Sequence, residues 1–447
     1  MSKDIKVKKG LNLRFKGEAE QTLVEAPKSK TFAIKPPDFH GVVPKLVLRE
    51  GAKVQAGEII FYSKYNDTVK FSSPVSGTIK EVLRGAKRRV LEIIIEADAV
   101  NSYKEFGVMN VDNSDADTVK ARVFESGCGA FIKQRPYDIL ADPDDAPKAI
   151  YVSAYNSAPL AANAEFILQD QKEDFQEGLK ALKKLTAGKV YVAVNGKSSK
   201  LKDLQGVEIL NVSGPHPAGN VGVHVQETEP MNMGDRVWVV GPEDVAIIGR
   251  LFLTGRYDAK RTIAVVGADA KDRKYFKTYL GANVTDLVGE VNESETRIIS
   301  GDVLTGLKLS NHQYVGFYDN TVSVIPEGNN YRMFGWLPFT YNNIHSMSKT
   351  SLSWMFPNKK YDVNTNLNGE ERALVVTGEM EEVMPLDVYP MQLLKACMTG
   401  NIEKMENLGI YEVIPEDFAL IDYVNTSKVE AQEIIRLGLD LMITEVG

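Results

Sequence analysis

The chain contains Asn211-Val-Ser-Gly-Pro-His-Pro-Ala-Gly-Asn-Val-Gly-Val-His-Val-Gln226, which concentrates three glycines, two prolines and two of the five histidines between two strand-like segments. Glycine allows backbone amides to approach a ligand closely, and proline fixes φ, so the shape of this loop is set in advance. A binding loop on an α/β scaffold has this composition. A rigid connection, whose glycines and prolines only satisfy turn geometry, has it too. The rest of the chain must decide between the two.

Length and charge limit the classes of protein to consider. At 447 residues the chain exceeds the size at which one core usually stops growing, which predicts about three or four domains. A net charge of −7 gives no reason to expect a nucleic-acid partner. Basic residues gather over 256–277 and over 80–89, and each cluster is either a solvated face or a surface for a partner or anionic lipid. The second cluster comprises Lys80, Arg84, Lys87, Arg88 and Arg89.

Cys128 and Cys397 are the only cysteines, and they lie far apart in dissimilar surroundings. This excludes an iron–sulfur cluster, a structural zinc site or a disulfide scaffold built from the chain's own cysteines. The amino terminus lacks the apolar core of a signal peptide, and no apolar run approaches the roughly 20 residues that span a bilayer. We therefore expect a cytoplasmic protein that meets a membrane only through partners.

Residues 1–105 are predicted to form a small β domain, because short β-branched segments alternate with glycine and proline turns. Two segments, 50–60 and 71–81, resemble the EGxxVxxGexI … SPxSGxI pattern of biotinyl/lipoyl domains. Those domains carry a prosthetic group on a lysine at a hairpin tip. The resemblance places Asn66 at that position, with Lys64 and Lys70 out of register, so it implies the sandwich fold without swinging-arm chemistry.

The middle of the chain alternates strands with helical patterns. Over 106–257 this alternation predicts βα units around a largely parallel sheet. We expect one long helix from about Ala161 to Leu185 and another that starts at Pro242. Residues 258–330 mix short strands, a helix near Lys271–Leu280 and glycine turns, which is typical of an α+β unit of β-grasp size.

The last third of the chain divides at about residue 379. Residues 331–378 are aromatic without a period, and we interpret them as an extended hairpin for a partner, with a long packed loop as the alternative. Residues 379–447 are predicted to be helical, with Asp387 capping one helix and Ser427-Lys-Val-Glu430 forming a capping box for the last. The large aromatic residues of the stretch are Phe334, Trp336, Phe339, Tyr341, Trp354 and Phe356.

The nearest feature to a cofactor motif is Glu125-Ser-Gly-Cys-Gly-Ala-Phe-Ile-Lys133, since the chain has no Walker loop, G-x-S-x-G or HExxH motif. It resembles the flavin mononucleotide loop found in the C subunit of Rnf complexes and in the NADH-binding flavoprotein subunit of complex I. Cys128 replaces a glycine of that loop and adds a Cβ where the backbone must approach a phosphate, so we predict that flavin does not bind. A lone cysteine without a neighbouring histidine is more often structural than reactive. The residues that match the flavin loop are Gly127, Gly129, Ala130 and Phe131.

Nearly the whole chain resembles the A subunit of the sodium-translocating NADH:quinone oxidoreductase. The resemblance implies a peripheral cytoplasmic subunit of a six-subunit membrane complex that oxidises NADH, reduces ubiquinone and exports sodium. Its flavins and iron–sulfur centres are implied to belong to the five other subunits. Family tails often carry a cysteine-containing FVCPGK where this chain has 422–428, which speaks against a redox role for the tail. The most specific segments are 5–13, 213–224, 237–252 and 297–306.

The fold implied by the resemblance is α+β multidomain and has the same order of classes as the residue patterns. It comprises a biotinyl/lipoyl-like β-sandwich over 1–105, a Rossmann-like α/β domain over 106–257, a β-grasp domain of the SLBB-like type over 258–330, the aromatic extension over 331–378 and a helical C-terminal domain over 379–447.

The candidate site is the glycine- and proline-rich loop. Rnf-type relatives have a K-Y-P-x-G-G-E pattern at about this place, so the loop belongs to a flavoprotein scaffold, and we expect it to form a cleft wall that faces residues 127–131. His216 is placed to hydrogen-bond a quinone carbonyl or a neighbouring subunit, with a loop histidine that lacks such a role as the alternative. The surroundings of His216 and His224 contain no recognisable metal-ligand set. The predicted cleft residues are Gly214, Pro215, His216, Pro217, Gly219 and His224.

Two functions follow from these patterns. The leading hypothesis is a cofactor-free, quinone-associated subunit of the sodium pump, docked on the membrane-embedded subunits. The alternative is a flavin- or NADH-binding dehydrogenase subunit of the Rnf or complex I type, which the loop at 125–133 suggests. The two differ in whether the isolated chain binds flavin mononucleotide.

Overall fold

The computed structural model describes residues 2–201, 203–328, 345 and 352–447. They form an α+β protein with several sheets, as the sequence predicts. The first nine strands are β1 (Ser2–Lys6), β2 (Leu23–Glu25), β3 (Thr31–Ile34), β4 (Pro44–Leu46), β5 (Lys53–Val54), β6 (Ile59–Ser63), β7 (Lys70–Ser72), β8 (Gly77–Arg84) and β9 (Val90–Ala97).

The N-terminal β domain is built from two sheets, in the orders β3-β9-β8-β5 and β4-β6-β7. Their inward residues share one core, in which the rings of Phe61 and Phe71 stack with centroids 4.3 Å apart. At the tip between β6 and β7, the Asn66 side-chain amide donates to the Asp142 carboxylate at 3.3 Å. The position that bears the prosthetic lysine in biotinyl domains therefore packs against the next domain.

The second domain is organised by a largely parallel sheet, as predicted. Seven of the described strands join in the order β1-β14-β13-β12-β15-β10-β11, and β10 and β11 are the antiparallel members. Its elements after β9 are α1 (Ala116–Glu125), β10 (Ile132–Arg135), β11 (Ile139–Leu140), β12 (Ala149–Ser153), α2 (Ala164–Ile167), α3 (Lys172–Lys184), β13 (Lys189–Asn195), β14 (Glu208–Ser213), α4 (Val221–Thr228), β15 (Val237–Val240) and α5 (Pro242–Thr254).

Helices α3 and α5 pack with their backbones in close approach because glycines lie at the crossing. A Cβ on Gly178 would lie 1.9 Å from the Val245 carbonyl oxygen, and one on Gly249 would lie 1.8 Å from that of Asp174. Helix α5 begins at Pro242, as predicted, and ends before Gly255 in the left-handed conformation that glycine adopts readily.

One expectation for this domain is wrong. The single helix expected over 161–185 is interrupted at Gln171, whose side chain accepts a hydrogen bond from Arg250 at 2.7 Å and contacts Glu243 at 3.3 Å. Tertiary contacts thus override the local helical pattern at this residue.

The third domain joins six of the described strands in the order β19-β18-β20-β16-β17-β2, with β16 parallel to β20. The helix predicted over 271–280 is wrong, because Tyr275 and Phe276 are buried on a strand that pairs with β16. The elements are β16 (Lys260–Val266), β17 (Tyr275–Tyr279), α6 (Val284–Val288), β18 (Thr296–Ser300), β19 (Leu307–Leu309) and β20 (Thr321–Pro326).

Two strands within the first 25 residues pair with strands that follow much later in the sequence. Strand β1 pairs in parallel with β14, and β2 pairs in parallel with β17. Between these strands the chain passes so close to other segments that a Cβ on Gly10 would lie 2.1 Å from the His216 carbonyl oxygen, and one on Gly17 would lie 2.2 Å from the Gly267 backbone. The N-terminal segment therefore connects two sheets that follow it in sequence.

The described part of the predicted aromatic extension, 352–378, is mostly irregular. Tyr361 bridges Phe15 of the N-terminal segment, and the Thr365 hydroxyl accepts a hydrogen bond from the Gly328 amide at 2.6 Å. Trp354 and Phe356 are exposed by more than half. The predicted hairpin falls largely outside the described residues, as do Phe334, Trp336, Phe339 and Tyr341.

The C-terminal region is helical as expected, but its caps differ from the prediction. Tyr389, and not Asp387, precedes α8. No capping box forms at 427–430, because the Asp422 carboxylate accepts from the Ala431 amide at 2.5 Å and so caps α11 from the preceding helix. The helices are α7 (Glu379–Val383), α8 (Pro390–Met398), α9 (Ile402–Asn407), α10 (Ala419–Val424) and α11 (Ala431–Glu445).

Truncating Ile5 tests the placement of β1. Its side chain is the buried member of this edge strand, so Ile5→Ala should lower the free energy of unfolding by about 2–4 kcal/mol, whereas Lys6→Ala, on the exposed side, should change it by less than about 0.5 kcal/mol. Urea titration of both variants measures the difference. Equal stabilities for Ile5→Ala and the wild type would contradict the pairing with β14.

Candidate functional site

The predicted cleft loop connects β14 to α4 and is buried. A Cβ on Gly214 would lie 2.5 Å from the Val7 carbonyl oxygen, and one on Gly219 would lie 2.3 Å from that of Tyr155. Both glycines are therefore needed for close backbone packing. The loop is not the open cleft wall that its composition suggests, because His216, Ala218 and His224 are all buried.

His216 has one satisfied and one unsatisfied ring nitrogen. The Ser157 hydroxyl accepts from the Gly219 amide at 2.8 Å and lies 3.1 Å from His216 Nδ1, so its hydrogen is available to Nδ1. His216 Nε2 is buried and has no hydrogen-bond partner among the described residues. Burial lowers the pKa of His216 to about 4, opposed by the nearby Asp302 carboxylate. The loop thus holds a neutral imidazole whose Nε2 is unpaired within the described part of the chain.

His224 has a structural contact instead. It lies on α4, and its Nε2 donates to the Ala218 carbonyl at 2.9 Å, which ties the helix to the loop. Burial lowers the pKa of His224 to about 4, the hydrogen bond to Ala218 opposes this shift, and the Arg135 guanidinium adds to it. Both histidines are therefore uncharged near neutral pH.

The glycine-rich loop at 127–131 is filled by neighbouring side chains. A Cβ on Gly127 would lie 2.4 Å from Ser72 Oγ, and one on Gly129 would lie 2.4 Å from the Phe124 ring. The Cys128 amide donates to Ser126 Oγ at 3.3 Å, and the Ala130 amide donates to the Gly127 carbonyl at 3.2 Å. These amides are engaged within the chain, so the loop does not fit a flavin phosphate.

The remaining side chains of this loop are equally enclosed. Phe131 stacks on Phe317 with ring centroids 5.1 Å apart, and the Tyr318 hydroxyl donates to the Ala130 carbonyl at 2.8 Å. Burial raises the pKa of the Cys128 thiol to about 12, which keeps it protonated and unreactive.

The two loops do not form one cleft. Cys128, Ala130 and Phe131 belong to the core on the face of the sheet covered by α3 and α5, whereas Ala218 and α4 belong to the core on the other face. Both loops lie near the edge where the parallel strands end, but the sheet separates them. The expectation that they face each other is wrong.

A buried ion pair lies beneath α4, and no sequence pattern predicted it. Arg135 and Asp417 are each almost inaccessible and lie 2.9 Å apart, and Glu416 lies 3.3 Å from the same guanidinium nitrogen. A Cβ on Gly222 would lie within 2.8 Å of both Arg135 and Asp417, so only glycine allows the helix to cover the pair. The partners are 282 residues apart in sequence, and no local pattern connects them.

Two negative findings concern the described residues alone. No group of three or more His, Cys, Asp or Glu side chains there is arranged to hold a metal ion. Within the same residues, no helix combines the length and apolarity needed to cross a membrane.

The order of the domains along the chain shows the class of protein. Successive parts of the chain match family models described as an NqrA N-terminal barrel-sandwich hybrid domain (5–98), an NqrA second alpha/beta domain (114–257) and an NQRA C-terminal domain (262–311). The chain is thus a multidomain subunit of an oxidoreductase complex. It belongs to the NqrA family, the A subunits of the Na(+)-translocating NADH-quinone reductase.

Full-length relatives support this assignment. The A subunits of this reductase from Marinomonas sp. (strain MWYL1) and Neisseria meningitidis serogroup B are 35% and 34% identical, over 98% and 99% of this chain and 99% and 100% of theirs. The protein of the same name from Vibrio campbellii is 34% identical over 99% of this chain and its own full length. An NAD+-reducing [NiFe]-hydrogenase structure aligns over 74% of this chain and 62% of its own, with 12% identity and a TM-score of 0.37, too low to support an argument.

The buried histidines should make stability depend on pH. Their folded pKa of about 4 lies below the ordinary value of 6.5, so the unfolded chain binds more protons between these values, and stability is lost as pH falls from 6.5 towards 4. At about pH 5 the loss should be on the order of 2 kcal/mol per histidine. In urea titrations at about pH 7.5 and 5, His224→Gln should show a smaller loss than the wild type, whereas the exposed-site control His312→Asn should match it. If His224→Gln loses as much stability as the wild type between these pH values, position 224 does not hold a buried neutral histidine.

Proposed function

We propose that this chain is a peripheral subunit, on the cytoplasmic face of the inner membrane, of a six-subunit complex that oxidises NADH, reduces ubiquinone and pumps sodium ions outward. The observation that carries the proposal is 34–35% identity over nearly the whole chain with proteins named as the A subunit of that reductase. In this proposal the five other subunits hold the flavins and iron–sulfur centres, and partner subunits hold the chain at the membrane.

The packing of the 127–131 loop supports a subunit that carries no flavin of its own. Its glycines are occupied by Ser72 and Phe124, and its cysteine is a buried thiol. The fold is consistent with a flavoprotein scaffold whose ligand site has been filled by side chains. We propose that the chain divides into domains at 1–105, 106–257, 258–330, 331–378 and 379–447, with a Rossmann-like second domain and a β-grasp third domain.

The loop at 214–219 is our candidate for the quinone step, either directly or through a neighbouring subunit. His216 supports this role. We place its ring hydrogen on Nε2, because the Ser157 hydroxyl can donate to Nδ1, and a buried Nε2–H with no partner among the described residues costs free energy until an acceptor arrives. A quinone carbonyl is such an acceptor, and so is a backbone carbonyl of a docked subunit. Gly214, Pro215, Pro217 and Gly219 hold the backbone that places the ring, and His224 holds the loop on α4.

A His216→Asn substitution in the assembled complex tests this role. If Nε2 binds quinone, KM for ubiquinone should rise about fivefold, the equivalent of one neutral hydrogen bond, with NADH oxidation by an artificial acceptor unchanged. His312→Asn, at an exposed position, is the control. An unchanged KM in a fully assembled complex would remove His216 from the quinone step, and loss of the subunit from the complex would assign the loop to docking.

Flavin titration separates the proposal from a flavin-binding dehydrogenase subunit of the Rnf or complex I type. The purified chain should show no saturable quenching of flavin mononucleotide fluorescence, because the phosphate-binding amides are engaged within the loop. Gly129→Ala should not alter this result. Saturable binding with one flavin per chain would favour the alternative.

A further inference from the structure

The long hairpin of β8 and β9 carries a concentration of positive charge on a protein that is negative overall. Of the ten residues from Lys80 to Arg89, five are basic and only Glu81 is acidic, whereas the whole chain has a net charge of −7. None of the five basic side chains forms an ion pair within the described residues. They are Lys80, Arg84, Lys87, Arg88 and Arg89, and all are exposed.

The basic end of the hairpin extends beyond the strands that flank it in the sheet. Strand β5 pairs with β8 only at 77–78, and β3 pairs with β9 only at 93–96. From Ile79 to Arg84 the strand β8 therefore has β9 as its only sheet partner among the described strands, and it extends roughly 16 Å at about 3.3 Å per residue. One face of this end still packs on the core, because Val90, which pairs with Arg84, is buried, and the Glu50 carboxylate accepts from the Val82 amide at 2.8 Å. The five cations lie on the exposed side of the hairpin end.

The turn of the hairpin has basic residues at positions whose backbone angles suit other residue types. The Gly85 amide donates to the Arg89 carbonyl at 2.8 Å and closes a loop in which Lys87 and Arg88 have φ of 53° and 60°. Asn and Gly are the residues that adopt such angles most readily in hairpins. The chain instead places two long cations there, with Leu83 exposed beside them.

We propose that the basic hairpin tip, Lys80–Arg89, binds the anionic headgroups of a lipid bilayer. Within 80–89, five side chains are exposed cations and Leu83 is the only exposed large apolar side chain, which does not supply the apolar centre, poor in lysine, of a stable protein interface. Lipid headgroups move laterally and need no matching shape, and each basic residue near an anionic bilayer strengthens binding about fivefold. This contact goes beyond membrane attachment through partner subunits and does not depend on the function proposed above.

Vesicle sedimentation with the full-length protein tests the proposal. The protein should sediment with phosphatidylcholine vesicles that contain phosphatidylglycerol but not with phosphatidylcholine alone, and binding should disappear at about 1 M salt, where the Debye length is about 3 Å. The variant Lys87→Asn/Arg88→Gly/Arg89→Gln removes three charges and inserts residues that the turn prefers. Its partition coefficient should fall about 100-fold, with an unchanged or higher Tm.

The matched control removes three exposed lysines at the other end of the same sheet. Lys28 and Lys30 precede β3, and Lys53 lies on β5. The variant Lys28→Gln/Lys30→Gln/Lys53→Gln has the same change in net charge as the tip variant. Its vesicle binding should stay within about threefold of the wild type. Equal loss in the control, full binding by the tip variant, or no binding of the wild type to anionic vesicles would each overturn the proposal. A further outcome is that the wild type fails to bind vesicles while the tip variant no longer binds detergent-solubilised membrane subunits. In that case the tip binds an acidic protein surface, and the lipid proposal is wrong.

Discussion

The central parallel sheet must be covered on both of its faces, and the other domains are arranged to meet that requirement. On β12 and β13, even-numbered residues such as Ile150 and Val192 lie in the core with α3, α5 and the N-terminal β domain. Odd-numbered neighbours such as Tyr151 and Tyr191 lie in the core with α4 and the C-terminal helices. The C-terminal helical domain is thus one of two covers for the same sheet. This alternation also decides that two glycine-rich loops at one edge of the sheet belong to different cores.

An ion pair is buried where the C-terminal helical domain meets the central sheet. A buried ion pair contributes little net stability, yet removal of one partner leaves an uncompensated charge that typically costs about 3–5 kcal/mol. Arg135 at the end of β10 and Asp417 before α10 therefore restrict how the helical domain can sit on α4. His224 lies in the same layer and fixes the loop that presents His216. The neutral state of both histidines follows from this enclosure rather than from any feature of the loop sequence.

Much of the fold was accessible from local patterns, and the failures share a physical cause. Alternation and turn residues predicted the β domain, the parallel sheet and the start of α5 at Pro242, because these depend on neighbours in sequence. The break at Gln171, the strand at 275–279 and the cap by Asp422 depend on partners that are distant in sequence. For the site, composition identified a loop of fixed shape, but it could not show that the loop is buried. Neither the Nε2 of His216, which is unpaired among the described residues, nor the ion pair under α4 has a sequence signature.

The edge position of β1 has a consequence for biosynthesis. Residues 2–6 leave the ribosome well before their only strand partner among the described residues, 209–213, which is made about two hundred residues later. At about 5–20 residues per second the N-terminal segment must wait roughly 10–40 s before it can dock. During that interval Ile5 and Phe15 remain without their native neighbours. The first strand of the central domain therefore joins its sheet late, whatever the order in which the other modules fold.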